Sequence, residues 1–78
     1  MDSIELLRQT AGRFGDKCQV SVTTGDVYTG IFKGYGESIK ENPLILHLGI
    51  SKAEASRIGV PHLSEIGVSY DVVVSVKF

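Results

Sequence analysis

The stretch from residue 19 to residue 36 constrains the fold of this chain more than any other. It begins with an alternation of apolar and polar residues around Val20 and Val22, the period-2 pattern of a half-buried strand. A tight turn follows, and the strand after it is interrupted by Gly30 and Gly34. The stretch therefore predicts a β-hairpin with an irregular second strand.

The two strand glycines indicate how this hairpin continues. Glycine inside a strand marks a bulge, a sharp bend or a close approach of another backbone. A strand that bends at both Gly30 and Gly34 can take part in two sheets at once, as the strands of a small barrel do. The sequence thus predicts an all-β domain with a strongly bent, five-stranded antiparallel SH3-like small barrel.

The remaining elements follow from apolar periodicity and from turn residues. A single domain over residues 1–78 is expected. Strands are predicted at about 18–23, 27–35, 44–50, 63–69 and 72–76. A short N-terminal helix is predicted at about 3–13, with Ser3 as N-cap and an apolar stripe of Ile4, Leu7 and Ala11.

Bulk composition excludes several classes of protein. A chain of 78 residues buries only about 60–65% of its unfolded surface, so association between copies would add needed burial. No apolar run approaches the ~20 residues that span a bilayer, and the N-terminus lacks a basic, signal-like segment. One cysteine suits a reducing compartment, and a cytoplasmic protein without membrane contact is expected. A net charge of −1 argues against a protein that binds nucleic-acid phosphates over its whole surface.

The last strand is apolar on both faces at Val72–Val74. Either the helix and a loop cover both faces, or the strand pairs with a neighbouring subunit. Strands 4 and 5 are expected to be the open edges, and head-to-tail pairing of identical edges closes into a ring when the rotation allows it. The second alternative predicts a homo-oligomeric ring through residues 65–76.

Residues 20–35 resemble the first sequence motif of the Sm-like family (Sm, LSm and the bacterial Hfq proteins). The shared features are an apolar alternation, a turn glycine, an aromatic residue, a second glycine and an apolar residue at this spacing. Asn42 with the strand after it resembles the end of that motif, and residues 68–73 resemble the shorter second motif. The chain is thus similar to a divergent member of the family.

The resemblance implies a ring that binds single-stranded RNA, U-rich or A-rich, around its central hole. Bases held this way are stacked on one side chain and read at their edges by another. The implied RNA-binding residues are Lys40, Asn42, Ser69, Tyr70 and Asp71. Asn42 would read the base edge, Lys40 or Tyr70 would stack, and Asp71 would orient Asn42 or the turn.

The chain also departs from the family pattern. Ser69-Tyr70 replaces the usual basic-Gly pair, Pro43 follows Asn42, and the loop before strand 3 is longer than usual. The alternative interpretation is that Asn42, Tyr70 and Asp71 are turn residues that serve backbone geometry. A second function therefore stays open, an oligomeric small-barrel scaffold that recruits protein partners without RNA.

Chemistry beyond binding is not indicated. Cys18 alternates with Val20 and is expected to be a buried small hydrophobe. His47 and His62 are isolated, and with one cysteine they match no metal-ligand spacing. No nucleophile, base and orienting acid can be assembled, so a non-enzymatic protein without cofactor or metal is expected.

Overall fold

Five antiparallel strands and a short N-terminal helix form most of the protein, whose computed structural model describes residues 1–37 and 44–78. The strands start and end within two residues of the predicted positions. In chain order the elements are α1 (Ser3–Thr10), β1 (Lys17–Val22), β2 (Val27–Glu37), β3 (Leu44–Gly49), α2 (Lys52–Arg57), β4 (Glu65–Ser69), a 3₁₀ helix (Tyr70–Val72) and β5 (Val73–Lys77). None of the helices in the described ranges has the length and apolar character needed to cross a membrane.

The strands form one sheet in the order β4-β3-β2-β1-β5. This order places β4 and β5 at the two edges, as the sequence predicts. Within the described residues β4 pairs with β3 and β5 pairs with β1, so the sheet is open. The antiparallel, mostly-β class with a short N-terminal helix is confirmed, and a closed barrel stays a prediction.

The two glycines of β2 have different structural roles. At Gly34 the pairing with β3 shifts between Phe32 and Gly34, and Gly34 has φ +104°, a conformation that side chains rarely allow. At Gly30 a Cβ atom would lie 2.5 Å from the carbonyl oxygen of Gly49, so β2 and the end of β3 come too close for any side chain. One glycine thus makes a bulge and the other permits close backbone approach.

The core lies on one face of the sheet and contains the apolar residues of the predicted alternations. In β1 the alternation buries every second residue, and in β3 Leu46 and Leu48 are fully buried. Phe32 of β2 lies at the centre of an edge-to-face aromatic group with Phe14, Tyr35 and Phe78. The opposite face of the sheet, here called the outward face, carries the intervening residues.

Helix α1 packs differently from the prediction. Its buried residues are Leu6 and Thr10, one turn apart, whereas Ile4 and Leu7 are exposed. The Thr10 hydroxyl donates to the Leu6 carbonyl at 2.7 Å and also contacts the Tyr35 hydroxyl, so its burial leaves no polar atom unpaired. The N-cap is Asp2 rather than Ser3, because the Asp2 carboxylate accepts from the Glu5 N–H at 2.9 Å.

Helix α2 closes a gap beside β2. Strand β3 ends at Gly49, opposite Ile31, so the first residues of β2 have no strand partner on that side. The Glu54 carboxylate accepts from the Thr29 N–H at 2.6 Å, and Arg57 donates to the Val27 carbonyl at 2.5 Å. These two side chains, joined by their own ion pair, thus supply the acceptor and donor that a neighbouring strand would supply.

Candidate nucleic-acid interface

Residues 69–71 follow directly on the end of β4, where the chain turns into β5. Ser69 is the last residue of β4, and Tyr70 and Asp71 begin the 3₁₀ helix rather than a simple tight turn. The Tyr70 side chain is half-buried and packs against the core, whereas Asp71 is exposed. The Val73 N–H donates to the Tyr70 carbonyl and the Thr23 N–H donates to the Val72 carbonyl at 2.9 Å, so this turn is tied to the end of β1.

A groove of about 380 Å³ lies beside this turn, between β4 and the end of β1. Ser69 lines it together with Val68 and Val72. The other lining residues are Val22, Thr23, Thr24, Tyr28, Ile58, Val60, Ile66 and Gly67. None of these described residues is charged, and apolar side chains make up most of the lining.

Lys40 and Asn42, the other two predicted contacts, lie outside the described residues. The strand ends on either side of them are described. Glu37 pairs with Leu44, and Ile45 lies opposite Ser69. The β2–β3 connection therefore leaves and re-enters the sheet next to the turn that carries Ser69, Tyr70 and Asp71.

The charged groups at this turn in the described residues include the N-terminal ammonium of Met1, which donates to the Val73 carbonyl at 2.6 Å. Asp71 is the charged residue of the turn itself. Farther along β4, the His47 Nδ1 atom lies 2.8 Å from the carboxylate of Glu65, the first residue of that strand. The His47 imidazole lies against Gly36 and leaves no room there for a Cβ atom. Ser69 carries no charge, so it does not supply the basic side chain that the resemblance implies at this position.

Possible metal-ligand side chains do not converge in the described part of the chain. Cys18 is buried as predicted, and burial raises the pKa of its thiol. Across residues 1–37 and 44–78 no three His, Cys, Asp or Glu side chains are grouped to hold a metal ion.

The structural roles of two sets of polar residues were not predicted from the sequence. Glu54 and Arg57 are spaced i, i+3, a signal for a helical ion pair, but the sequence does not say that the pair reaches β2. Lys17, Lys33 and Lys77 occupy outward positions of their strands, and the sequence does not say that these strands are neighbours.

Comparison with known proteins finds no relative of this chain. The chain matches no protein-family model, no curated protein and no solved structure. The similarity to the Sm-like family therefore stays a prediction from the motif residues.

Proposed function

We propose that this protein is an Sm-like domain that assembles into a homo-oligomeric ring and holds single-stranded U-rich or A-rich RNA without catalysis. The observation that supports the ring most is the pair of open edges, β4 and β5, at opposite ends of one antiparallel sheet. An edge strand whose outer side has no partner strand attracts further strands. Identical subunits joined β4 to β5 satisfy both edges, and such head-to-tail contacts close into a ring when the rotation between subunits allows it.

Apolar exposure near the edges supports the same assembly. Val74 of β5 has 57% of its surface exposed, and Val72 is exposed beside the apolar groove. An 8.4 kDa chain has little interior of its own, so covering these side chains adds burial that a single copy lacks. The element order, with a short N-terminal helix and a β2 bulged at Gly34, also agrees with an Sm-like small barrel.

The RNA part of the proposal rests on the β2–β3 connection and the turn after β4. Ile45 lies opposite Ser69, so the ends of the segment that contains Lys40 and Asn42 adjoin Ser69 and Asp71. Asn42 then reads a base edge, and Lys40 stacks on the base or contacts a phosphate. Because the Tyr70 side chain packs against the core, the side chain that stacks on the base comes from the β2–β3 connection.

The mass of the assembly in solution tests the ring. Light scattering at micromolar protein is expected to give a multiple of the chain mass, and the ultraviolet absorbance ratio is expected to reveal co-purified nucleic acid. A monomer under these conditions would overturn the ring.

Titration with labelled oligo(U) and oligo(A) tests the RNA site. Asn42→Ala is expected to weaken binding, because a lost base-edge contact costs about 1–3 kcal/mol of discrimination in nucleic-acid readout. Ser38→Ala in the same connection is the matched control. Equal affinity for the wild type and Asn42→Ala would refute the assignment of Asn42.

A second function is favoured by two observations. Tyr70 packs against the core, and the groove beside it lacks charge in the described residues. Both agree with an oligomeric scaffold that recruits protein partners without RNA. Absence of RNA binding at low salt by a protein that still assembles would favour the scaffold, whereas binding that weakens with salt favours the RNA proposal.

A further inference from the structure

We propose that the exposed side of α1 is a contact surface for a second copy of this chain, with the two α1 helices packed antiparallel about a two-fold axis. The surface consists of Ile4, Leu7 and Ala11 and is here called the α1 stripe. A two-fold contact of this kind uses the same patch on both copies. The inference goes beyond the proposed function, since it uses neither the open edges of the sheet nor RNA.

The α1 stripe is apolar surface that the fold leaves exposed. Ile4, Leu7 and Ala11 are all exposed. Their spacing places them on one face of the helix, beside the face that buries Leu6 and Thr10 in the core. Apolar side chains at this spacing are the ridges through which one helix packs against another. The stripe therefore has the pattern of a helix-packing surface, while the core of the same subunit uses the neighbouring face of α1.

Two exposed aromatic rings extend the stripe past the end of α1. Phe14, with 71% of its surface exposed, and Tyr35 both lie in edge-to-face contact with Phe32. The Tyr35 hydroxyl contacts the Thr10 hydroxyl, so this ring lies at the C-terminal end of α1. An exposed apolar patch of several large side chains marks an interaction surface.

The charges of α1 select the occupant of this surface. The helix is acidic at its start, with Asp2 as N-cap and Glu5 in the first turn, and basic in its last turn at Arg8. In an antiparallel pair the start of one helix lies beside the end of the other, so Glu5 meets Arg8 of the partner subunit. A parallel pair brings like charges together, which opposes association. Charge complementarity therefore favours an antiparallel second copy.

The same arrangement matches the apolar side chains. A two-fold axis near Leu7 places the two copies of Leu7 side by side and sets the large Ile4 of each copy opposite the small Ala11 of the other. One arrangement thus suits both the apolar and the charged positions, which favours a second copy over a protein of unrelated sequence. Two acidic residues and one arginine do not suit an anionic lipid surface.

Disulfide cross-linking tests the contact. Leu7→Cys places two thiols near the two-fold axis, and Leu63→Cys is the matched control, because Leu63 is 39% exposed and Leu7 is 41% exposed. Under mild oxidation by copper phenanthroline in air, the disulfide-linked dimer of Leu7→Cys is expected to form at least about tenfold faster, since thiols held together react at an effective concentration near ~1 mM. Wild-type protein, whose Cys18 is buried, is the blank, and circular dichroism checks that each variant folds.

A mixture of two variants tests the orientation. In the antiparallel arrangement Ile4→Cys mixed with Ala11→Cys is expected to form the mixed disulfide faster than either variant links to itself, as measured by mass spectrometry. Fastest linking of Ile4→Cys to itself would overturn the antiparallel arrangement.

A charge exchange tests the selection of the occupant. On the Leu7→Cys background, Glu5→Arg sets arginines of the two copies against each other, so cross-linking is expected to slow roughly fivefold. Adding Arg8→Glu restores the opposite charges and is expected to restore the rate. A double variant as slow as Glu5→Arg alone would refute the charge pairing.

The outcomes separate this inference from the proposed function. If Leu7→Cys and Leu63→Cys cross-link at the same rate while light scattering of the wild type gives a multiple of the chain mass, the α1 contact is refuted and the ring stands. If Leu7→Cys cross-links fast while the wild type scatters as a monomer at micromolar concentration, the α1 contact is supported and the ring falls.

Discussion

The sheet has two kinds of strand edge without a partner strand: one is covered by side chains of α2, and the others are not covered by a described strand. β3 has already ended beside the first residues of β2. There the Glu54 carboxylate accepts from the Thr29 N–H, and Arg57 donates to the Val27 carbonyl. The outer edges of β4 and β5 receive no strand from the described residues. An edge left open attracts other strands, and proteins commonly cover the edges they do not use. The contrast is between an edge of β2 that α2 side chains cover and outer edges of β4 and β5 that no described strand covers.

The largest expected effect comes from charging an open edge. Val74→Lys places an ammonium group on exposed β5 with little change inside the subunit, because the side chain is 57% exposed. Lysine on an edge opposes strand pairing. Light scattering is expected to show the mass falling to that of one chain, 8.4 kDa, while circular dichroism stays native.

The matched control charges the covered edge. Val27→Lys also replaces an exposed valine, 38% exposed, but at the place where α2 already closes β2. The assembly mass is expected to stay unchanged. If Val27→Lys dissociates the assembly and Val74→Lys does not, the two edges have been assigned the wrong way round.

The next effect comes from removing the cover. Glu54→Ala leaves the Thr29 N–H without its acceptor and Arg57 without its partner. An unmet, partly buried donor costs about 1–3 kcal/mol, so the free energy of unfolding is expected to fall by about 2 kcal/mol in urea titration. A loss below about 0.5 kcal/mol would mean that water replaces Glu54 freely.

A smaller effect is expected from pH. The hydrogen bond from Arg57, together with the one from Thr29, lowers the pKa of Glu54. A lowered pKa in the folded state means that the stabilisation is complete above the ordinary glutamate pKa of about 4.3 and is lost as pH falls through the lowered value. Urea titrations of wild type and Glu54→Gln between neutral and strongly acid pH are expected to converge in the acid. Parallel curves at all pH values would exclude the carboxylate charge as the cause.

The smallest effect provides the reference for these ion pairs. Arg8→Ala removes an i, i+3 pair with Glu5 that is exposed on α1 and covers no strand edge. Such pairs contribute about 0.2–0.5 kcal/mol on a helix, so unfolding is expected to change by no more than this. A loss as large as that of Glu54→Ala would show that ion pairing alone, rather than the covered strand, explains α2.

Much of the fold was predictable because strand signals are local. The alternation in β1 and the apolar residues Leu46 and Leu48 of β3 indicate which face is buried without reference to other strands. The prediction was wrong for the buried face of α1, where Leu6 and Thr10 replace the expected stripe. The Tyr35 hydroxyl from a distant strand makes the burial of Thr10 acceptable, and no local pattern contains that contact.

The candidate sites were less predictable than the fold. The chain signals a turn at residues 69–71, yet whether Tyr70 points to solvent or to the core depends on what packs above it. Likewise Lys17, Lys33 and Lys77 are far apart in the chain, and each alone is an ordinary surface lysine. Only strand order and register place them on the same face of three adjacent strands.

The sequence by itself determined where the strands lie, which of their faces are apolar, and that β2 must be irregular at its glycines, because these properties depend on neighbouring residues in the chain. The tertiary structure decided that Gly34 makes the bulge while Gly30 admits Gly49, since both depend on how β3 is placed. It also decided that α2 covers the edge of β2 beside its first residues. Those contacts join residues distant in sequence, and local periodicity carries no information about them.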